Sequence, residues 1–456
     1  MRLLLIAALC AGPAASQFRA GAARADVTPD LARHGPVYLA GFGHNRVATG
    51  VHDRLWARCV ALAEARKPLV VCAVDSIGLF VDDVDKARRL VPNFDLVVAS
   101  THDHEAPDTM GLWGPEPGKS GISDEYNTFV VDRVAEAARA AVKTMKPVAV
   151  TLARLRSPEL DEMIHDSRPP EVHDSELVVL ALADEAGQNI ATVVNWANHP
   201  EVLGSENTQI TADYAGYLCA GLEDQLGGVG ILWNGAVGGM QSPLHTRVID
   251  PRTREPAPDN SFRKAELIGR HVADLAVGAL QGEKPAEVER ATFAEQRVSI
   301  PVVNAAFDQA DKAGVFKGRK ARNPDNSTST PVGLVRLVGR AQPVLEIALI
   351  PGELYPELSV GGVVKYEGAD FPEAPVEPAV KKLMGAEWRM LVGLADDEIG
   401  YIIPKQEWDE KAPYLQNAEK PWYGEVNSPG PDAAARIIEA FRSLLAPPAP
   451  ARRGQR

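Results

Sequence analysis

Four short apolar runs, each breaking off at a histidine or a carboxylate, constrain this chain more than any other feature. The first, Leu96–Ala99, runs into Thr101-His102-Asp103-His104-Glu105, with Pro107 and Asp108 close behind. β-Branched runs of this length, bounded by turn formers, read as buried strands. The second, Ile190–Val194, leads to Asn198-His199-Pro200-Glu201, and the third, Leu345–Ile350, ends in Pro351-Gly352-Glu353. The last, near residue 392, gives way to Asp396-Asp397-Glu398-Ile399-Gly400-Tyr401. Alternate residues of an extended segment share a side, so His102 and His104 point into one cavity. Imidazole is a common zinc ligand and the side chain best suited to proton transfer near neutral pH. A single histidine before a proline is explained by a turn. Four strand ends with such residues predict a shared metal site, because ligands gather outside strand ends in open sheets.

The segments between these runs predict an α/β fold of mixed β-sheets flanked by helices. Trp56–Leu62 and Leu69–Val74 flank a Lys67-Pro68 turn and read as a hairpin. Ser123 starts a helix whose apolar stripe includes Val130, Val134 and Ala138. Further helices are expected from Asp213 to about Gln225, over Arg263–Leu280, and after Asp432. Gly318–Ser329 is basic, polar and without period, and reads as a surface loop. A glycine-rich turn, Gly235–Gly239 followed by Met240-Gln241-Ser242-Pro243, lets backbone N–H groups approach an oxyanion. It has no lysine and no P-loop spacing, which excludes nucleotide binding on that turn. The loop residues His44, His52 and Asp53 read more simply as solvated side chains than as cleft residues.

The net charge of −13 excludes nucleic acid as a partner. No apolar stretch after the first twenty residues is long enough to span a membrane. Met1-Arg2, the apolar run Leu3–Cys10 and the small residues after it read as a secretory signal peptide over 1–24. Cleavage falls near Ser16 or within Ala20–Ala23, and the protein is expected to be secreted or periplasmic. Cys59, Cys72 and Cys219 each lie in apolar runs and read as small buried residues rather than a disulfide framework. One hydrolase domain is expected over 25–446, with a Pro- and Arg-rich disordered tail at 447–456.

At these residues the chain resembles the neutral/alkaline non-lysosomal ceramidases in their N-terminal catalytic domain. The matches run in order: Ala25-Asp26-Val27-Thr28-Pro29, Gly50–Arg58, the histidine pair, Asn198-His199-Pro200, Thr211-Ala212-Asp213, the glycine-rich turn, Pro351-Gly352-Glu353, and Gly400-Tyr401 followed by Tyr414. The resemblance implies one zinc per chain, held by His102, His199, Glu353 and Tyr401. It implies His104 as proton donor or acceptor, Tyr414 as an oxyanion partner, and Arg168 as the arginine that binds the reacting group. The activity implied is zinc-dependent hydrolysis of the N-acyl bond of ceramide, or of a similar lipid amide, to fatty acid and amine. Such a substrate involves transient contact with a membrane surface.

The chain departs from that family in three places. Asp103, Glu105 and Asp108 replace small residues of the histidine loop and are expected to make the pocket mouth acidic. In the glycine-rich turn an ungapped alignment puts Gln241 where the family has serine, and a one-residue gap restores Ser242, which would then be catalytic. The separate β-sandwich domain that follows in full-length ceramidases is expected to be absent. Two other readings follow from these changes: a zinc hydrolase of another amide or ester on the same fold, and a binding homologue without catalysis.

Overall fold

The computed structural model describes residues 18–63, 67–319 and 322–446. Residues 1–17 of the signal peptide expected over 1–24, and the tail expected at 447–456, lie outside the described residues. In chain order, the first strands are β1 (Arg19–Asp26), β2 (Gly50–Val51), β3 (Trp56–Leu62), β4 (Leu69–Val74) and β5 (Asp95–Ser100). Next come β6 (Lys146–Leu155), β7 (Leu177–Asp184), β8 (Asn189–Trp196), β9 (Gln209–Ile210) and β10 (Val229–Asn234). The last are β11 (Arg290–Pro301), β12 (Ser327–Val338), β13 (Pro343–Leu349), β14 (Glu353–Leu354), β15 (Trp388–Val392) and β16 (Tyr401–Ile402).

Eight of these form one sheet in the order β10-β8-β7-β6-β1-β3-β4-β5, and four form a second in the order β11-β12-β13-β15. The two sheets pack face to face. Val60, Val71, Val97, Leu180 and Val193 of the first share one core with Val335, Leu345, Ile347 and Met390 of the second. Helices cover the outer faces. The Asp124–Lys143 helix turns its Val130–Val134–Ala138 stripe onto the β3–β4–β5 side. Asp213–Leu226 and Phe262–Leu280 pack together, the first over β10 and β8 and the second over β6 and β7. Ala433–Leu445 lays Ile437, Ile438 and Phe441 on the second sheet. The result is a four-layer arrangement with mixed sheets inside and helices outside, as the alternation of periods predicts.

The first sheet curls so strongly that β10, at one edge, contacts β3, β4 and β5 at the other. This curl brings together strand ends that the sheet order keeps apart. Asn234, the last residue of β10, holds the closure: its Nδ2 donates to Thr101 O at 2.7 Å and to Asn198 O at 2.9 Å. Those two carbonyls lie one residue before His102 and one before His199.

The described structure corrects several expectations. β1 begins at Arg19, and Phe18 and Ala20 are buried in the core. A boundary at residue 24, or cleavage within Ala20–Ala23, would cut an internal strand, whereas cleavage near Ser16 leaves it whole. Cys59 and Cys72 are register partners across the β3–β4 hairpin and form a disulfide, and Cys219 is the free cysteine among the described residues. Their equal distance from the turn was the available signal. The segment read as a surface loop at 318–329 enters β12 at Ser327, and its Arg319 pairs with the buried Asp397. Asp432 precedes the last helix but caps nothing with its side chain, which instead accepts from Lys405 Nζ.

Candidate metal centre

Four strand ends deliver the predicted residues to one cavity, which is lined by His102, His104, Glu353 and Tyr401. His199 lies beside these residues at 1 % exposure, with its ring centroid 4.8 Å from that of His102. Glu353 and Tyr401 are brought side by side by the parallel β14–β16 ladder, in which they are register partners. Gly400 makes this possible. Its φ of +94° belongs to the left-handed region, and a Cβ there would run into Asn427 O.

The orientation of each imidazole follows from its backbone partner. His102 Nδ1 lies 2.7 Å from Ile77 O, and His199 Nδ1 lies 2.7 Å from Gln241 O. A carbonyl only accepts, so both Nδ1 atoms carry hydrogen, and each neutral ring turns an Nε2 lone pair inward. Those lone pairs meet at one atom: Glu353 Oε2 is 3.2 Å from His102 Nε2 and 3.3 Å from His199 Nε2. Three acceptors this close, buried together, are stable only around protons or a cation. Ligand atoms on a tetrahedral ion with bonds of about 2.0–2.1 Å stand about 3.3 Å apart, so the spacing fits a zinc-sized ion. Burial works against a charged His199, but Glu353 and Glu201 outweigh it and raise its pKa above the ordinary value. The Tyr401 phenol is pushed far up by burial, then by the charge of Glu353, which it hydrogen-bonds.

His102, His104 and His199 together form a buried group whose ligand atoms lie within 4.8 Å of one another, so His104 is also within reach of an ion. Its environment differs, however. No carbonyl fixes its ring. Nδ1 lies 3.1 Å from Glu201 Oε2 without hydrogen-bond alignment, and Nε2 has no partner among the described residues. Burial, then the neighbouring His102, His199 and Arg46, holds His104 well below its usual pKa and keeps it neutral. The backbone of Gly41, at φ +95°, lies so close to this ring that any Cβ would strike it. His102 itself sits at φ +68°, strain that a non-glycine residue sustains only when its surroundings impose it.

Other predicted residues are placed differently. Tyr414 is not on the cavity wall; Tyr423 is, with its ring 5.9 Å from that of Tyr401. Tyr414 was implied by the resemblance alone, and packing distinguishes the two. Arg168 is 8 % exposed and fully engaged elsewhere, with Glu425 in a two-pronged pair at 2.7 and 2.8 Å and with Tyr355 Oη and Glu407 O. Ser242 Oγ accepts from Leu244 N, and its backbone bridges to His165, so it does not line the cavity. The glycine-rich turn serves His199 instead, because Gln241 O accepts from both its Nδ1 and its backbone N–H.

The acidic loop does not charge the mouth. Asp108 turns inward to accept from Met110, Gly111 and Trp113 N–H, and Glu105 pairs with the buried Arg46 and with Asn207. Asp103 is fully buried and accepts from Glu105 N. None of the three lines the cavity. Of the loop residues, His52 stacks on Phe262 and Asp53 accepts from Thr211 and Ala212, away from the centre. Sequence reasoning missed Ile77, Glu201, Glu398 and Tyr423 as site residues.

The cavity encloses about 800 Å³ including its open mouth. One side is an apolar cluster of Ile77, Phe80 and Met110 with Trp113 and Phe316 packed against it. Polar groups share the wall with it: Arg319 lies over the Phe80 ring and bonds Thr328 and the Glu398 carbonyl, and Arg322 pairs with Asp311. No helix among the described residues is long and apolar enough to cross a membrane.

The fold is that of the neutral ceramidases. The crystal structure of neutral ceramidase from Pseudomonas aeruginosa superposes with a TM-score of 0.67 at 17 % identity, covering 94 % of this chain and 74 % of that one. A ceramidase complexed with C2 gives a TM-score of 0.64, again at 17 % identity, with 94 % and 75 % covered. No family model matches the sequence, and no curated protein matches it.

Proposed function

We propose that this chain is a secreted, zinc-dependent amidohydrolase that cleaves the N-acyl bond of ceramide, or of a ceramide-like lipid amide, into fatty acid and amine. The observation that carries this reading is the convergence of His102 Nε2 and His199 Nε2 on one oxygen of Glu353. The apolar lobe beside that point suits a hydrocarbon chain, and the ceramidase fold supports the reaction class. Export agrees with the Cys59–Cys72 disulfide, which persists in oxidising compartments. The domain responsible spans the strand beginning at Arg19 through the helix ending at Leu445.

In this reading His102, His199 and Glu353 hold the ion, with Tyr401 beside Glu353 as the fourth ligand. A zinc ion held there would supply a Lewis acid for an acyl carbonyl and would lower the pKa of water towards neutrality. His104, neutral and outside the four ligands, accepts the proton of the attacking water and returns it to the departing nitrogen. Tyr423, which lines the cavity where Tyr414 does not, takes the role of hydrogen-bonding the carbonyl oxygen as it gains charge. The apolar walls exclude water and hold the acyl chain. Arg168 and Ser242 have no part in these steps.

Elemental analysis of the purified protein, beside Glu353→Ala and His199→Ala, tests the centre. The expected result is about one zinc per wild-type chain and loss in both variants. Hydrolysis of a ceramide should stop with a chelator and return with zinc. Metal content indifferent to either substitution, or turnover indifferent to chelation, would overturn the reading.

A further inference from the structure

Glu398 lies on the cavity wall with Glu353 and Tyr401, and nothing in the four-ligand scheme uses it. It is 3 % exposed. Its Oε1 accepts from Gly400 N at 2.7 Å, while its Oε2 has no partner among the described residues. The side chain is fixed from both ends. Gly78 packs its backbone against the stem closely enough that a Cβ would stand 2.9 Å from Cγ. Behind it, Arg319 grips Asp397 and the Glu398 carbonyl. A buried carboxyl oxygen held still and left without a partner is unfavourable unless something else supplies a donor.

We propose that Glu398 is a specificity-determining residue whose Oε2 takes a hydrogen bond from a hydroxyl or ammonium group on the amine half of the substrate. This rests on the N-acyl amide reading above. A fatty acyl chain carries no donor and suits the apolar lobe of Phe80, Met110 and Phe316. The donor therefore comes from the amine half. A carboxylate there would face Glu398 and be rejected. A methyl group would leave Oε2 unpaired, and sites built to hydrogen-bond a substrate discriminate strongly against analogues that lack the group.

The test uses four dodecanoyl amides that differ only at the amine end: 2-aminoethanol, ethylenediamine, propylamine and glycine. Wild type should favour the hydroxyl and ammonium amides over the propyl amide by at least about tenfold in kcat/KM, with the glycine amide poorest. Glu398→Gln keeps an oxygen for Gly400 N–H and turns an NH₂ donor into the cavity. It should erase the preference for the ammonium amide over the propyl amide while zinc content stays unchanged. Calorimetric binding of the same intact amides reads this preference without turnover. If wild type hydrolyses none of the four, the amidase reading fails, and the affinity order still decides Glu398. Equal treatment of ammonium and propyl amides by wild type, or a preference that survives in Glu398→Gln, would overturn the assignment.

Discussion

Glu353 and Tyr401 face each other as register partners in the two-residue parallel ladder β14–β16, although their parent strands, β13 and β15, end in different loops. The same parallel pairing of β13 with β15 sends both chains out at one edge, where each takes a short detour and re-pairs beside the histidines. A carboxylate and a phenol far apart in sequence thus become neighbours through backbone hydrogen bonding alone.

Gly41 is predicted to control His104 without touching substrate. Gly41→Ala places a methyl group where the imidazole now lies, and at a φ that alanine resists. Displacing a catalytic group by about 1 Å costs on the order of 10²-fold in rate. The expected result is a kcat lowered by about that factor with zinc content intact. An unchanged kcat would show that the ring position is immaterial.

Arg168 is predicted to matter for stability and not for substrate affinity. Removing one partner of a buried, hydrogen-bonded ion pair costs about 3–5 kcal/mol, and Arg168→Met leaves Glu425 with no guanidinium. Urea denaturation should report a loss of this size, while KM of the folded fraction stays within about twofold. A large KM increase at unchanged stability would restore the substrate-binding role.

Asp396 gives stability a pH dependence. Burial pushes its carboxyl up to about 6 against the pull of Arg88, above the ordinary 3.8. The folded chain therefore binds the proton more tightly than the unfolded chain. The contribution is full below about pH 4 and is lost as pH rises through about 6. Asp396→Asn should flatten the fall of unfolding free energy between those values, measured by denaturant titration at several pH values. An identical slope in wild type and variant would refute the assignment.

The Cys59–Cys72 cross-link closes a loop of separation 13. Chain entropy assigns such a loop about 3 kcal/mol. Cys59→Ala with Cys72→Ala should lower stability by about this amount without changing zinc content. Equal stability in the oxidised wild type and the double variant would show that the cross-link does not contribute.

Strand ends at His102, His199, Glu353 and Tyr401 were legible because period, β-branching and turn formers are local properties of the chain. The helix at 124–143 was legible for the same reason, through its apolar stripe and its serine cap, and the helix expected over Arg263–Leu280 starts one residue earlier, at Phe262. What local pattern does not contain is which way a loop residue turns. Tyr414 lies in an irregular segment and Tyr423 opens a short helix, each close behind a proline, and only packing against Tyr401 selects the second. Asp103, Glu105 and Asp108 read as a charged mouth, yet backbone N–H groups, Arg46 and Asn207 draw them inward, because a buried loop must satisfy its own polar groups. The sequence by itself determined the two kinds of secondary structure and the ligand types at the strand ends. The tertiary structure decided the curl that closes β10 onto β5, the Asn234 clamp, the carbonyls that aim His102 and His199, and the free oxygen of Glu398. Each of these depends on atoms brought together from distant segments, and no local period encodes such a meeting.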